Sequence, residues 1–205
     1  MGQNGTGNKS PRPGIFLYEM SSREPGTPDR IRRFEADVLV HLDDLYRAAL
    51  RLTGNAAEAQ DLTQDTCLRA FERLDQLRSP AAARVWVFTI LRSIFLRRIE
   101  RQSRTVDVQI IDSPLLEAGE VLHDTYEALR PIQETPLGEV REALGRLPLP
   151  FREPLVLAHV GGFSYKEISE ILAIPLGTVM SRLFRARRLL RSELREPARR
   201  TRSTP

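Results

Sequence analysis

The chain has 205 residues, 41% of them apolar and 28% charged, with a formal net charge of +4 and a pI near 9.7. That balance supports a buried core in one or two domains and excludes a low-complexity or fibrous polymer. Few of the basic residues are lysine, and the arginines fall in blocks. Local arginine blocks on a modest net charge point to nucleic acid, because guanidinium stays charged and forks onto phosphate or guanine.

Cys67 is the one cysteine, so no disulfide forms within the chain and a reducing compartment fits. No charged start followed by an apolar core marks a signal peptide. The most apolar run, Val85 to Leu96, is interrupted by Arg92 and is too short to span a bilayer. A soluble cytoplasmic protein without membrane insertion is expected. Residues 1–29, rich in Gly, Ser, Pro and Asn, read as a disordered tail. Met20, followed by a short polar lead into Ile31, competes with Met1 as the translation start.

Residues 31–53 have a helical pattern, with Phe34, Val38, Leu42, Leu45, Ala49 and Leu52 on one side. Gly54 suits the left-handed stop of that helix and Asn55 the N-cap of the next. The helix over about 56–74 has two unlike faces. Ala59, Thr63, Cys67, Ala70, Phe71 and Leu74 form a packing side. Glu58, Asp61 and Asp65, with Gln64 beside them, form an acidic stripe. The helix dipole accounts for Glu58 alone. A stripe that continues to Asp65 reads as a docking surface for a basic partner.

A loop over 75–84, broken at Pro80, leads into a long helix over about 82–104. Its first half is apolar nearly all round and should be buried, with Trp86 and Phe88 as core rather than base-stacking platforms. Its second half carries Arg92, Arg97, Arg98, Arg101 and Arg104 against Glu100. Residues 105–139 turn acidic, with Asp107, Asp112, Glu117, Glu120, Asp124, Glu127, Glu134 and Glu139 against Arg130, and prolines at 114, 131 and 136. This reads as an acidic linker: either a solvated spacer, or a segment that mimics nucleic-acid charge in a basic channel.

Leu137, Val140, Leu144 and Leu147 make a helix ending at Pro148, and Phe151 to Val160 make a second, stopped by Gly161-Gly162. Ser164 with Glu167 is a capping box that starts a third helix, whose apolar stripe is Ile168, Ile171 and Leu172. Pro175 breaks it, and a basic helix follows with Val179, Leu183 and Leu190 inward. The other faces of that last helix carry Thr178, Ser181, Arg182, Arg185, Arg187, Arg188 and Arg191. Helix, tight turn and basic helix are what a major-groove reader needs: small hydroxyls approach base edges and arginines hold phosphates. The plainer alternative is an αα-hairpin with a solvated cationic face. The basic end of the chain, 196–205, reads as a frayed tail.

Two stretches together resemble one family. Leu52 to Phe71 (LTGNAAEAQDLTQDTCLRAF) is similar to the core-polymerase-binding helix of bacterial sigma factors, and Trp86 to Arg92 to the helix that follows it in sigma domain 2. Leu147-Pro148, Phe151 to Leu155 and Ile174 to Arg188 resemble sigma domain 4. Two such domains with a short linker resemble the extracytoplasmic-function (ECF) group of the sigma-70 family. The resemblance implies an all-α fold of two small helical domains joined by a flexible acidic linker: domain 2 over 30–104, linker over 105–136 and domain 4 over 137–195. It implies that Glu58, Asp61, Gln64 and Asp65 bind the β′ subunit of core RNA polymerase. It implies that Arg78, Arg84, Arg92, Arg97, Arg98 and Arg101 hold the −10 element as single strand, and that Thr178, Ser181, Arg182, Arg185, Arg187 and Arg188 read the −35 duplex. The linker would run through the polymerase channel, with β as well as β′ as partners, and an anti-sigma factor is expected from the family.

Three positions depart from the family pattern. Ser93 stands where Asn is frequent, Ser169 where Ala is usual and Ala173 where Gly is usual. Ala173 demands either a turn without positive φ or a strain of about 1 kcal/mol. A DNA-binding regulator working without polymerase is the alternative, but it leaves the acidic stripe and the apolar-then-basic helix unexplained. An enzyme is not expected, and neither is a cofactor: His41, His123 and His159 are scattered, and neither a metal-ligand cluster nor a nucleophile or phosphate-loop motif occurs.

Overall fold

The structure, a computed structural model, describes residues 27–102 and 137–195. The expected tail up to residue 26, the linker over 105–136, Met20, Arg104, His123 and the basic end from 196 lie outside the described residues.

The first half is built from α1 (Thr27–Asp37), α2 (Leu42–Thr53), α3 (Ala56–Glu72) and α4 (Ala83–Gln102). The single helix expected over 31–53 is two. A short 3-10 turn, Leu39–His41, separates α1 from α2. The period hid this break because Val38 stays in the core at full burial while the chain turns, leaving Val40 66% exposed. The turn lets α1 cross the far end of α3, where Phe34 meets Phe71 edge-on at 5.2 Å between ring centres. Arg30 donates to the Phe71 and Glu72 carbonyls there, and Arg33 to the Leu77 carbonyl. These groups sit where a helix end leaves acceptors without intrahelical partners. The helix also begins at Thr27, three residues inside the span expected as tail.

Gly54 and Asn55 act as the sequence indicates. Gly54 sits at φ 72° and donates to the Leu50 carbonyl, closing α2. The Asn55 side chain accepts from the Ala57 and Glu58 N–H groups, opening α3. Two more 3-10 turns, Leu74–Gln76 and Pro80–Ala82, fill the loop before α4.

The second half holds α5 (Leu137–Arg146), α6 (Leu149–His159), α7 (Tyr165–Leu172) and α8 (Leu176–Arg195), with α8 packed on the other three. Pro154 lies inside α6, where its ring removes only the bond to the Pro150 carbonyl. The two halves also touch each other. α7 packs on α4, and α5 and α6 pack on α2, so one apolar core runs through both. Arg152 fastens this junction, donating to the Gly145 and Leu147 carbonyls of its own half and to the Leu52 carbonyl of the other.

Candidate nucleic-acid interface

The acidic stripe stands on the exposed side of α3. Glu58, Asp61, Gln64 and Asp65 are all exposed, while Ala59, Leu62, Thr63, Thr66, Cys67 and Ala70 are buried behind them. The buried hydroxyls do not compete with the helix. Thr63 donates to the Ala59 carbonyl and Thr66 to that of Leu62, each at 2.7 Å. Burial pushes the Cys67 thiol up to about 11, which fits an inert packing group. Asp65 is paired with Arg98 of α4, and Arg98 also reaches the Glu58 carbonyl. An arginine expected on the −10 strand is therefore tied to the stripe itself.

The other arginines of this half divide by position. Arg78 is exposed in the loop before α4, and Arg97 and Arg101 are exposed near its end. Arg97 and Arg101, with Arg69 and Arg98, line a groove between α3 and α4 that also holds Asp65, Glu72, Leu68 and Ile94; Arg78 is not part of it. Arg84 and Arg92 instead face the second half. Arg84 donates to the Gly161 carbonyl, lies 4.5 Å from the centre of the Phe163 ring and stands 3.6 Å from Asp44. Arg92 Nε donates to Glu153 Oε1 at 2.7 Å. Phe88, fully buried, meets Phe163 edge-on with ring centres 4.7 Å apart. Trp86 is half-buried against the same core.

The capping box of α7 forms in full: the Glu167 N–H donates to the Ser164 hydroxyl, and the Ser164 N–H and hydroxyl both donate to the Glu167 carboxylate. Those bonds hold the Glu167 carboxyl below its usual range. The turn takes the strained option. Ala173 sits at φ 50° and ψ 45°, the left-handed region. Ser169 then acquires a use the sequence did not suggest: its hydroxyl donates to the Ile174 carbonyl at 2.6 Å, across the turn.

On α8, Val179, Leu183 and Leu190 are buried as expected. Thr178, Ser181, Arg182 and Arg185 are half-buried, Arg188 is exposed, and the Ser181 hydroxyl donates to the Thr178 carbonyl. Arg187 is different. It is only 5% exposed and donates to the Tyr165 hydroxyl, so it braces α8 against α7. His159 is pushed down to about 4 by desolvation and by the Arg187 and Arg51 guanidiniums. Glu153 and Phe163 were not singled out from the sequence. The available signal was an acid on the apolar helix 149–159, where a buried carboxylate needs a cationic partner.

Comparison with known proteins agrees with this arrangement. The family description "Sigma-70 region 2" matches residues 38–105, and "Sigma-70, region 4" matches residues 137–190. The ECF RNA polymerase sigma factor EcfG of Rhodopseudomonas palustris (strain TIE-1) is 34% identical over 154 residues, which is 74% of this chain and 79% of that protein. The chain belongs to the ECF group of the sigma-70 family. The ECF sigma factor SigL of Mycobacterium tuberculosis (strain H37Rv) is 35% identical over 166 residues, covering 76% of this sigma factor and 85% of its relative. The sigma factor RpoE of Bartonella quintana, solved with the anti-sigma factor NepR, superposes with a TM-score of 0.61 at 27% identity, over 79% of this chain and 96% of that one. CnrH, solved with the cytosolic domain of CnrY, shares the fold with a TM-score of 0.58 at 24% identity, over 89% and 96% of the two chains. Among the described residues no helix is long and apolar enough to cross a membrane.

Proposed function

We propose that this chain binds core RNA polymerase through the α3 stripe and directs initiation at promoters whose −10 and −35 elements its two halves hold. The observation that carries this reading is the pairing of two matched regions, in order, with an exposed acidic stripe on the first and a capped helix-turn-helix in the second. Glu58, Asp61, Gln64 and Asp65 take the basic face of β′. Arg78, Arg97 and Arg101 stand ready for the −10 strand, and Arg84, Arg92 and Arg98 join them once their present partners let go. Thr178, Ser181, Arg182, Arg185 and Arg188 face the −35 duplex, while Arg187 holds the recognition helix in place.

The sigma factor contributes binding and no catalysis. It favours unpaired over paired DNA at one place, where extruding a base costs a few kcal/mol that pocket and phosphate contacts offset. Two moderate grips on one chain reinforce each other through effective concentration. An anti-sigma factor controls it, as the solved relative RpoE of Bartonella quintana is bound to one, and it works in the cytoplasm beside polymerase and DNA. The alternative, a regulator that never touches polymerase, gains nothing from the stripe. Run-off transcription with purified core polymerase tests the reading. Promoter-specific transcripts that appear only when this protein is added are expected; DNA binding without any such transcripts would refute it.

A further inference from the structure

The turn between α7 and α8 carries strain. Ala173 holds a left-handed conformation, φ 50° and ψ 45°, that glycine adopts without a Cβ clash. Ser169, one helical turn earlier on α7, bonds twice across it. Its carbonyl accepts from the Ile174 N–H at 3.2 Å, and its hydroxyl donates to the Ile174 carbonyl at 2.6 Å. The first bond is the backbone closure of any helix that ends left-handed. The second needs a side-chain donor, and alanine at 169 would lack it. Tyr165 stands one further turn back on the same face of α7, and its hydroxyl accepts from Arg187 of α8 at 3.3 Å. Two hydroxyls of α7 therefore hold α8, one just before it begins and one past its middle.

We propose that Ser169 is a positioning residue for −35 recognition: through the Ile174 carbonyl it sets the angle at which α8 leaves the turn, with Tyr165 as the second fixing point. This rests on the −35 role proposed for α8. The Ile174 carbonyl belongs to the peptide plane that joins Ile174 to Pro175, and that plane is rigid. The Pro175 ring then locks the next torsion, φ, at about −65°. The Pro175 carbonyl accepts the first bonds of α8, from the Thr178 and Val179 N–H groups at 2.9 and 3.1 Å. One soft torsion, the ψ of Pro175, thus separates the held carbonyl from the helix. A tilt at this root grows along α8, and Thr178, Ser181, Arg182 and Arg185 ride on it. Hydrogen bonds to base edges weaken steeply with misalignment. Phosphate contacts carry no sequence information directly, so their loss or shift does not change which sequence is preferred. Loosening the root should therefore cost discrimination between sequences and spare general DNA affinity.

The test reconstitutes the full chain with core polymerase and measures binding of two fluorescent duplexes. One is selected by the unsubstituted complex from a library randomised at the −35 element; the other is the same duplex scrambled there. Ser169→Ala should lower the ratio of the two affinities about tenfold, the order of one base contact, and leave the scrambled duplex bound as before. Ser169→Thr keeps the hydroxyl and should keep the ratio. Ser169→Ala combined with Ala173→Gly separates orientation from stability: glycine should return the denaturant midpoint without returning the ratio. If circular dichroism shows that Ser169→Ala fails to fold, Tyr165→Phe, which removes only the second hydroxyl, carries the measurement. An unchanged ratio in the variant that carries it overturns the proposal, and so does a ratio that recovers with stability in the double variant. An unsubstituted complex that prefers no −35 sequence removes the −35 reading and this proposal with it. Discrimination that survives the loss of the hydroxyl removes this proposal alone.

Discussion

α4 and α8 are both 20 residues long and both rich in arginine, yet they use that charge differently. α4 begins apolar, with Val87, Phe88 and Leu91 sunk in the shared core, and two of the proposed grip arginines in or beside that run are taken by the other half. α8 begins exposed, at Leu176 and Gly177, and buries the apolar stripe Val179, Leu183, Ala186, Leu190 together with Arg187. Arginine content alone thus says little about availability. What decides it is whether the apolar part of the same helix needs covering. A helix that is apolar on nearly all sides draws a second layer over itself, and its neighbouring cations are captured with it.

The largest expected effect falls outside both helices and isolates them from polymerase. Asp61→Arg with Asp65→Arg should abolish co-purification with core polymerase and run-off transcription. The thermal unfolding curve should hardly move, because both residues are exposed and the Asp65–Arg98 pair is a surface one worth at most about 1 kcal/mol. Unchanged polymerase binding would remove the stripe from the function.

Next, the shared core can be broken from the α4 side. Phe88→Ala should cost about 3–5 kcal/mol in denaturant unfolding, since the side chain is fully buried and packs across the seam. A loss well below that range would mean the halves are less dependent on each other than their common core indicates.

Arg182→Ala should weaken −35 duplex binding by about 1–3 kcal/mol with relaxed sequence preference, if it reads a base. An equal loss on every sequence with a shallower salt dependence would make it a phosphate contact. Fluorescence anisotropy at several salt concentrations separates the two.

The smallest effect concerns the turn that sets α8. Ala173→Gly should stabilise the protein by about 1 kcal/mol, because glycine takes φ 50° without the Cβ clash. The gain should show in denaturant midpoint with DNA specificity unchanged, and a loss of stability would mean the Ala173 methyl is packed rather than strained.

Much of this was legible beforehand. Helix starts at Asn55 and Ser164, the stop at Gly54 and the inward stripes of α3, α7 and α8 all follow from short-range chemistry that the sequence spells out. The break at Leu39–His41 was not legible, because Val38 satisfies a helical period and a kinked core alike. The inward turn of Arg187 was not legible either: on a basic helix, nothing local distinguishes an arginine that meets the Tyr165 hydroxyl from its exposed neighbour Arg188.

By itself, then, the sequence determined the helices, their caps, the order of the two regions and the chemistry each presents, since those depend on residues three or four apart. Tertiary structure alone decided which arginines are at liberty. Glu153 lies 61 positions from Arg92, and Gly161 lies 77 from Arg84. No periodicity reports contacts over such separations; they exist because two apolar faces must be covered and the charges beside them pair where they land.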